Sequence, residues 1–269
     1  MIRGALLRVL PRPLRAAVRA RLLERRRAAF PSRVARHRYG SHELAVRIGD
    51  ATAQAWYDRD WDEPPELALL RERGRLRPGA RVFDLGAHQG LVALLLERAV
   101  SPGGTVLAVE ASPHDAAVAA ENLRLNAPAA VELLHAAVAA RPGTVHFGLH
   151  GEVADGGGDW PTVEVEAVTI DGLAERYGPP DVLFLDVEGF EDEALSGAAA
   201  VLVRRPDAFV EVHGDHLPRF GASVERVLAH FPADAYELLA ADPDEGVFRP
   251  LDRASPPRGR FFLVALARA

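Results

Sequence analysis

Residues 81–113 read RVFDLGAHQGLVALLLERAVSPGGTVLAVEASP, and this stretch decides the fold class. A short apolar strand, 81–85, runs into a tight turn that carries Gly86 and Gly90. A helix with leucines on one face follows, and then a turn, SPGG, and a second strand at 105–109. A strand, a helix and a strand in this order predict a right-handed crossover between two parallel strands of one sheet.

The alternation of strands and helices continues on both sides of this unit. Strands are predicted at 41–50, 131–138, 144–150, 162–170, 181–187 and 208–212, and helices at 65–73, 112–126, 171–177, 193–203 and 222–231. Two further strands with a turn between them close the chain. We therefore expect a doubly wound, mostly parallel α/β domain over residues 41–269 with an antiparallel C-terminal strand, and an arginine-rich N-terminal helical extension over residues 1–40.

The composition excludes several classes of site. The 269 residues include no cysteine, which rules out disulfides, thiolate metal sites and cysteine nucleophiles. They include no lysine, which rules out a Schiff-base lysine and a P-loop lysine. The chain contains no apolar run near the roughly 20 residues that a membrane-spanning helix needs. We expect a cytoplasmic protein without a transmembrane segment.

The charge is distributed very unevenly along the chain. Residues 1–38 hold twelve arginines and one acid, a charge of +11, and the total of −6 leaves −17 on the rest. The acidic body argues against nucleic acid as a partner. The basic segment 14–29 is predicted to be helical, with Leu14, Val18 and Leu22 at four-residue spacing. Packing on the acidic domain, or a frayed leader, is the favoured interpretation, and peripheral contact with an anionic membrane or an acidic partner is the alternative.

The ends of the strands predicted at 81–85 and 105–109 have the features of a nucleoside-binding site. Gly86 and Gly90 let the backbone approach a ligand closely, and Glu110 ends the second strand, where it can accept hydrogen bonds from ribose hydroxyls. The spacing is G-x-x-x-G, which differs from the dinucleotide motif G-x-G-x-x-G, and a second mononucleotide half is missing. A single nucleoside that carries a carboxylate therefore fits better than NAD. An NAD-binding oxidoreductase and a non-catalytic Rossmann-like binding module stay open as alternatives.

Acidic side chains follow the strand within residues 181–198, DVLFLDVEGFEDEALSGA. Asp186 ends this strand and Glu188 lies in the next turn. The following strand ends in VEVHGDH, where Glu211 and His213 point to the same side. We expect Asp186 to orient the acceptor or the cofactor. Glu188 is a candidate for the general base, and His213 is its strongest rival, because imidazole titrates near neutral pH.

Two neighbouring residues are assigned plainer roles. Glu191 is expected to cap the helix that follows it, since acids are favoured in a first helical turn. His216 is expected to lie in solvent. A divalent metal would suit the oxygen-rich set Asp186, Glu188, Glu211 and His213, but the spacing is no metal signature, so we expect no metal site.

Four segments together resemble a known family. VFDLGAHQG, VLAVEASP, VTIDGL and DVLFLDVEGFEDEALSGA, in this order over roughly residues 42–215, resemble the FkbM-type S-adenosylmethionine-dependent methyltransferases. The resemblance implies a class I methyltransferase fold with a seven-stranded sheet. It also implies S-adenosyl-L-methionine as cofactor and O-methylation of a hydroxyl on a sugar, natural product or other small molecule. The chain departs from the family at His88, where the glycine turn commonly has asparagine.

The resemblance also implies which residues bind the cofactor. Asp84, Gly86 and Gly90 would hold the methionine part, Glu110 the ribose, and Ala136 and Ala137 the adenine. Trp56 and Tyr57 are candidate lining residues, although plain packing fits Trp56 equally well. The full expected cofactor site is Asp84, Gly86, Ala87, His88, Gln89, Gly90, Glu110, Ala111, Ala136, Ala137 and Asp186. The expected catalytic residues are Asp186, Glu188 and His213. The sequence leaves the acceptor and the oligomeric state undetermined.

Overall fold

The computed structural model describes residues 11–148, 153–154 and 161–268, and its centre is an eight-stranded sheet. The strands of this sheet are β3 (Arg81–Leu85), β4 (Thr105–Glu110), β5 (Val131–His135), β9 (Val182–Leu185), β10 (Asp207–His213), β11 (Tyr236–Ala241), β12 (Arg249–Pro250) and β13 (Arg260–Ala267). Two smaller sheets flank it. One is the hairpin of β1 (Arg33–Tyr39) and β2 (His42–Ile48), and the other contains β6 (Ala137–Val138), β7 (Gly143–Gly148) and β8 (Thr162–Val168).

The order of the strands confirms the doubly wound fold. The central sheet runs β12-β11-β13-β10-β9-β3-β4-β5, and β10, β9, β3, β4 and β5 pair in parallel. β13 lies antiparallel between β10 and β11. Without the two-residue strand β12, this is the seven-stranded sheet that the family resemblance implies. The change of direction at β3 leaves a crevice at the carboxyl ends of the strands, where such sheets bind ligands.

Helices cover both faces of the sheet. They are α1 (Arg12–Ala29), α2 (Ala51–Tyr57), α3 (Pro65–Glu72), α4 (Leu91–Val100), α5 (Pro113–Asn126), α6 (Ile170–Tyr177), α7 (Glu191–Ser196), α8 (Ala199–Val203) and α9 (Val224–Ala229), with a 3₁₀ turn at Leu217–Phe220. Side chains alternate along each strand, so Val82 faces the core under α2, α3 and α4, whereas Phe83 faces the core under α6 to α9. Both side chains are fully buried.

The N-terminal hairpin is fixed to the main sheet through α5. The side-chain amide of Asn126 accepts a hydrogen bond from the Ala45 nitrogen at 2.9 Å and donates one to the Ala45 carbonyl at 2.8 Å. Asn122 accepts a bond from the Arg47 nitrogen at 2.7 Å. These bonds satisfy backbone groups of β2 on the side away from β1. The hairpin has its turn at residues 40–41, where the sequence analysis divided the N-terminal extension from the main domain.

Several predicted elements are divided in the structure. The strand expected at 131–138 splits into β5 and β6, and β6 joins a different sheet. The helix expected at 193–203 breaks at Gly197, where a Cβ atom would lie 2.3 Å from the Ala139 carbonyl oxygen. The two strands predicted at the C-terminus do not pair with each other, since β12 pairs with β11, a strand that the sequence analysis missed. Most of the glycine-rich loop after β7 lies outside the described residues.

The helix α1 presents apolar side chains outward. Leu14, Val18 and Leu22 are 53%, 37% and 40% exposed. Among the described residues, we find no helix whose length and apolar character would let it cross a membrane.

Candidate active site

The carboxyl ends of β3, β4, β9 and β10 open into one cleft of about 1580 Å³. Pockets for a single small ligand usually measure roughly 300–1,000 Å³. The cleft therefore has room for a cofactor and a second molecule together. The cleft-lining residues that the sequence analysis predicted are Trp56, Tyr57, Gly86, His88, Glu110, Ala111, Ala137, Asp186, Glu188, Glu211 and His213.

The glycine turn after β3 presses directly against the end of β9. Gly86 has a φ of +94°, and a Cβ atom there would lie 1.7 Å from the carbonyl oxygen of Asp186. Only glycine fits this approach. Gly90, with a φ of +78°, starts α4 against Ala119. Because the turn touches the backbone of Asp186, a ligand held by the turn lies close to the acids that follow β9.

Glu110 is a buried carboxylate at the end of β4. Its two oxygens accept bonds from the His88 nitrogen at 2.7 Å and the Ser112 nitrogen at 2.6 Å. Burial raises the pKa of Glu110 to about 8 despite these bonds. A carboxylate has about four acceptor positions, so two remain for hydroxyl donors in the cleft. This is the capacity that a ribose would use.

Five predicted cofactor residues lie beneath the cleft surface and do not line it. They are Asp84, Ala87, Gln89, Gly90 and Ala136. Asp84 Oδ2 is buried and has no hydrogen-bond partner among the described residues, and burial raises the pKa of Asp84 to about 7. Gln89 instead ties the turn to other elements, since its amide donates to Asp50 at 3.0 Å and to Asp115 at 2.9 Å.

An aromatic residue contacts the turn from α2. The hydroxyl of Tyr57 donates to Nδ1 of His88 at 2.5 Å, and Nε2 of His88 lies 3.5 Å from Asp115. His88 has a φ of +48°, the left-handed region in which asparagine is also common. Tyr57 is buried while Trp56 is 50% exposed, so of this pair Tyr57 is the one that fixes the turn.

The three predicted catalytic residues meet on one side of the cleft. Nε2 of His213 lies 3.3 Å from Glu188 Oε2 and 3.9 Å from Asp186 Oδ1. It also lies 3.5 Å from Glu211 Oε1, because residues 211 and 213 point to the same side of β10. Glu188 occupies the turn after β9 with a φ of +54°. The convergence follows from the parallel pairing of β9 and β10, which ends both strands at one edge.

Glu191 has a larger role than the helix cap expected from the sequence. It is the first residue of α7, but its Oε1 accepts a bond from His213 Nδ1 at 2.8 Å and one from the Gly189 nitrogen at 2.9 Å. The side chain is fully buried. It fixes the orientation of the imidazole, and since Nδ1 donates to Glu191, Nε2 faces the other acids.

The acids control the proton affinities in this cluster. Burial alone lowers the pKa of His213, but the bond to Glu191 and the charges of Asp186 and Glu188 outweigh it and raise the pKa to about 9. Burial and the charge of Glu211 hold the pKa of Asp186 well above its ordinary value. His213 is therefore an imidazolium at neutral pH.

Arg260 and Glu66 are two of the charged cleft residues that the sequence analysis did not predict. Arg260 Nε contacts Glu211 Oε1, and it reaches this position because β13 pairs antiparallel with β10 and places Arg260 opposite His213. Glu66 lies in the first turn of α3, and burial raises its pKa to about 7. Neither has a local sequence signal, since both depend on contacts between distant segments.

His216 does not lie in solvent as expected. Its ring stacks on His213 with centroids 5.6 Å apart and an angle of 19° between the planes. Its side chain is 34% exposed. The two rings stack because the chain turns back after β10 and brings the Cβ of His216 against Gly189.

The family model described as "Methyltransferase FkbM domain" matches residues 84–238. A solved FkbM methyltransferase from Methylobacillus flagellatus is 17% identical, with a TM-score of 0.46 over 71% of this chain and 44% of that protein. A putative O-methyltransferase from Klebsiella pneumoniae is 15% identical, with a TM-score of 0.47 over 77% of this chain and 80% of that one. Fibrillarin from Aeropyrum pernix, solved with natively bound S-adenosyl-L-methionine, is 14% identical, with a TM-score of 0.42 over 88% and 83% of the two chains. No curated protein sequence matches the chain.

The family match spans the glycine turn and the strand ends that carry the predicted cofactor-binding and catalytic residues. It begins at Asp84 in β3, passes through Glu110 and Asp186, and ends at Leu238 in β11. This range is more than half of the 269 residues. The chain therefore belongs to the FkbM methyltransferase family.

Proposed function

We propose that this chain is an S-adenosyl-L-methionine-dependent O-methyltransferase that acts on a hydroxyl of a small-molecule, natural-product or sugar acceptor. The observation that carries the proposal is the position of Asp186. Its carbonyl oxygen touches the glycine turn, and its side chain belongs to the cluster around His213. A cofactor held by the turn and a hydroxyl held by the acids would therefore meet.

The residues present fit this cofactor. Asp84 Oδ2 is a buried acceptor without a partner among the described residues, and Glu110 keeps free acceptor positions. Eleven acids and four arginines line the cleft, so its charge favours a cationic ligand. When bound, S-adenosyl-L-methionine supplies an electrophilic methyl group on a sulfonium.

The acids have separate roles in the proposed reaction. Asp186 would orient the acceptor hydroxyl, and Glu188 Oε2 would take its proton as the oxygen bonds to the methyl carbon and the carbon–sulfur bond breaks, with S-adenosylhomocysteine as the leaving group. A positioned base of this kind contributes roughly 10²–10⁴-fold. Glu188 is the better base at neutral pH, because the raised pKa of His213 keeps that imidazole protonated. Positioning of the hydroxyl in line with the methyl group supplies much of the remaining acceleration.

The surroundings of the cleft support a small acceptor. Its acidic lining repels a phosphate backbone, so we propose no nucleic acid as a partner. The exposed stripe of α1 supports peripheral contact with another surface as a secondary property. The absence of cysteine from the sequence suits a reducing compartment, which supports a cytoplasmic location.

Calorimetric titration with S-adenosyl-L-methionine, S-adenosylhomocysteine and NAD tests the cofactor. We expect both adenosyl ligands to bind, NAD not to bind, and Glu110→Ala to weaken adenosyl binding at least tenfold without loss of folding. Binding of NAD alone would make the chain an oxidoreductase candidate and end the proposal.

Turnover separates a catalyst from a binding module. Transfer of labelled methyl groups to a panel of hydroxylated small molecules would be measured for the wild type, Glu188→Gln and His213→Gln. We expect Glu188→Gln to lower turnover about 10²-fold or more while affinity for the cofactor is unchanged. Cofactor binding without transfer to any acceptor would favour the non-catalytic module.

A further inference from the structure

Two groups of acids and histidines in the described part of the chain bring their ligating atoms within 4.8 Å of one another. In the first group, Asp50, His114 and Asp115, the oxygens of Asp50 already accept hydrogen bonds from protein groups. Asp50 accepts from the Ala53 nitrogen at 2.8 Å, from Gln89 at 3.0 Å and from His114 at 2.6 Å. These bonds hold α2 against the glycine turn, and they use the oxygens that a cation would need.

The second group, Asp186, Glu211 and His213, keeps an acceptor that no described residue uses. Asp186 Oδ1 is buried and has no hydrogen-bond partner among the described residues. Nε2 of His213, in a side chain only 7% exposed, lies 3.3 Å from Glu188 Oε2 in an ion pair that a cation would replace. Asp186 Oδ1 and His213 Nε2 lie 3.9 Å apart, and Nε2 lies 3.5 Å from Glu211. Ligands about 2.1 Å from one divalent ion lie roughly 3–4 Å from one another, so these separations suit a shared ion.

The support around His213 is that of a metal ligand. A ligating histidine usually donates its other ring N–H to a carboxylate, which fixes the tautomer and the direction of the free nitrogen. Glu191 does this here from a fully buried position. The glycine at 189 donates to the same carboxylate, so the supporting side chain is itself held in place.

The charge of the cluster is not balanced. Asp186, Glu188, Glu191 and Glu211 surround the imidazolium of His213, and Arg260 contacts Glu211, so four acids face two cationic side chains. Charges withdrawn from water need a counter-charge. A divalent cation would supply it between Asp186 and Glu211, and it would share Glu211 with Arg260.

We propose that Asp186, Glu211 and His213 bind one divalent cation, with Glu191 as the positioning residue for His213. One imidazole and two carboxylates suit Mn²⁺ or Mg²⁺, with water completing the coordination. The sequence analysis named these residues among an oxygen-rich set that suits a divalent metal, but it expected no metal site, because their spacing is no metal signature. The role of the cation rests on the proposed function: beside Glu188 it would lower the pKa of the acceptor hydroxyl.

The experiment is a titration of the metal-stripped full chain with Mn²⁺ and no other ligand, with free aqueous Mn²⁺ followed by electron paramagnetic resonance. We expect one saturable site per chain that Mg²⁺ competes for. His213→Gln and Glu211→Gln should weaken binding at least tenfold, and Glu191→Gln by about 10–100-fold. His114→Gln, in the first group, should leave the affinity unchanged. If a variant at the buried residues His213 or Glu211 fails to fold, Asp186→Asn replaces it in the titration, because the Asp186 side chain is 39% exposed.

The outcomes separate this proposal from the proposed function. Titration with S-adenosyl-L-methionine, run without metal, tests the cofactor by itself. Cofactor binding with no saturable Mn²⁺ site would overturn the cation site and leave the methyltransferase proposal standing. A saturable Mn²⁺ site in the wild type that is lost in His213→Gln, together with no cofactor binding, would support the cation site and overturn the methyltransferase proposal. Equal Mn²⁺ affinity in the wild type, His213→Gln and Asp186→Asn would also overturn the cation site.

Discussion

Glu66 gives the clearest test of the electrostatics of the cleft. It is 7% exposed, and its Oε2 has no hydrogen-bond partner among the described residues. Burial, with a contribution from the charge of Glu211, raises its pKa from 4.5 to about 7. A carboxyl whose pKa is raised on folding binds its proton more tightly in the folded state. It therefore costs stability that grows as the pH rises from about 4.5 to about 7.

The substitution Glu66→Gln removes this titration and keeps the shape of the side chain. A shift of about 2.5 units at about 1.4 kcal/mol per unit gives a stabilisation of about 3 kcal/mol at pH 8. At pH 5 most of the folded-state carboxyl is already protonated, and the same calculation gives less than about 1 kcal/mol. Glu72→Gln is the matched control, because Glu72 ends the same helix and is exposed.

Urea unfolding at pH 5 and pH 8, in the presence of EDTA, measures the difference. The free energy of unfolding of Glu66→Gln should exceed that of the wild type by more at pH 8 than at pH 5, while Glu72→Gln changes little at either pH. The slope with denaturant should be the same for all three proteins. An equal effect of Glu66→Gln at both pH values, or a loss of stability at pH 8, would show that Glu66 is charged and compensated in the folded protein.

Two substitutions test how the backbone is held around the cleft. Gly86→Ala should destabilise the protein by more than about 3 kcal/mol, because its Cβ would overlap the Asp186 carbonyl. Gly79→Ala is the control, since Gly79 has a similar φ of +85° but open space around it, and it should cost about 1–2 kcal/mol. Thermal unfolding compares the two variants, and similar losses of stability would contradict the close approach at Gly86. Asn126→Ala should cost about 2 kcal/mol by leaving both backbone groups of Ala45 without their partner, and an unchanged melting temperature would show that the hairpin is held by other contacts.

The sequence predicted those parts of the site that strand ends determine. Glu110, Asp186, Glu188 and His213 each follow an apolar strand, and parallel strands end at one edge, so their convergence needed no long-range information. The same reasoning could have predicted the hydrogen bond between Glu191 and His213, because Glu191 lies just after β9, the strand that neighbours β10. It was missed because Glu191 also lies in a first helical turn, where an acid is expected for a local reason.

The residues that the sequence did not reveal depend on pairing between distant segments. Arg260 enters the cleft only because β13 inserts between β10 and β11. The apolar segment 131–138 reads as one strand, yet it divides because Ala137 and Val138 pair with β8. Helix α7 ends where Gly197 meets the Ala139 carbonyl, a contact between segments almost 60 residues apart. Periodicity carries no information on such contacts.

The insertion of β13 sets the limits of any fragment that can fold. A fragment cut at the ends of the family match, 84–238, would lose β13 and leave the edges of β10 and β11 unpaired. It would also lose β1 and β2, and with them the partners of Asn122 and Asn126. The smallest autonomous unit therefore extends from the N-terminal hairpin to the end of β13, well beyond the range by which the family is recognised.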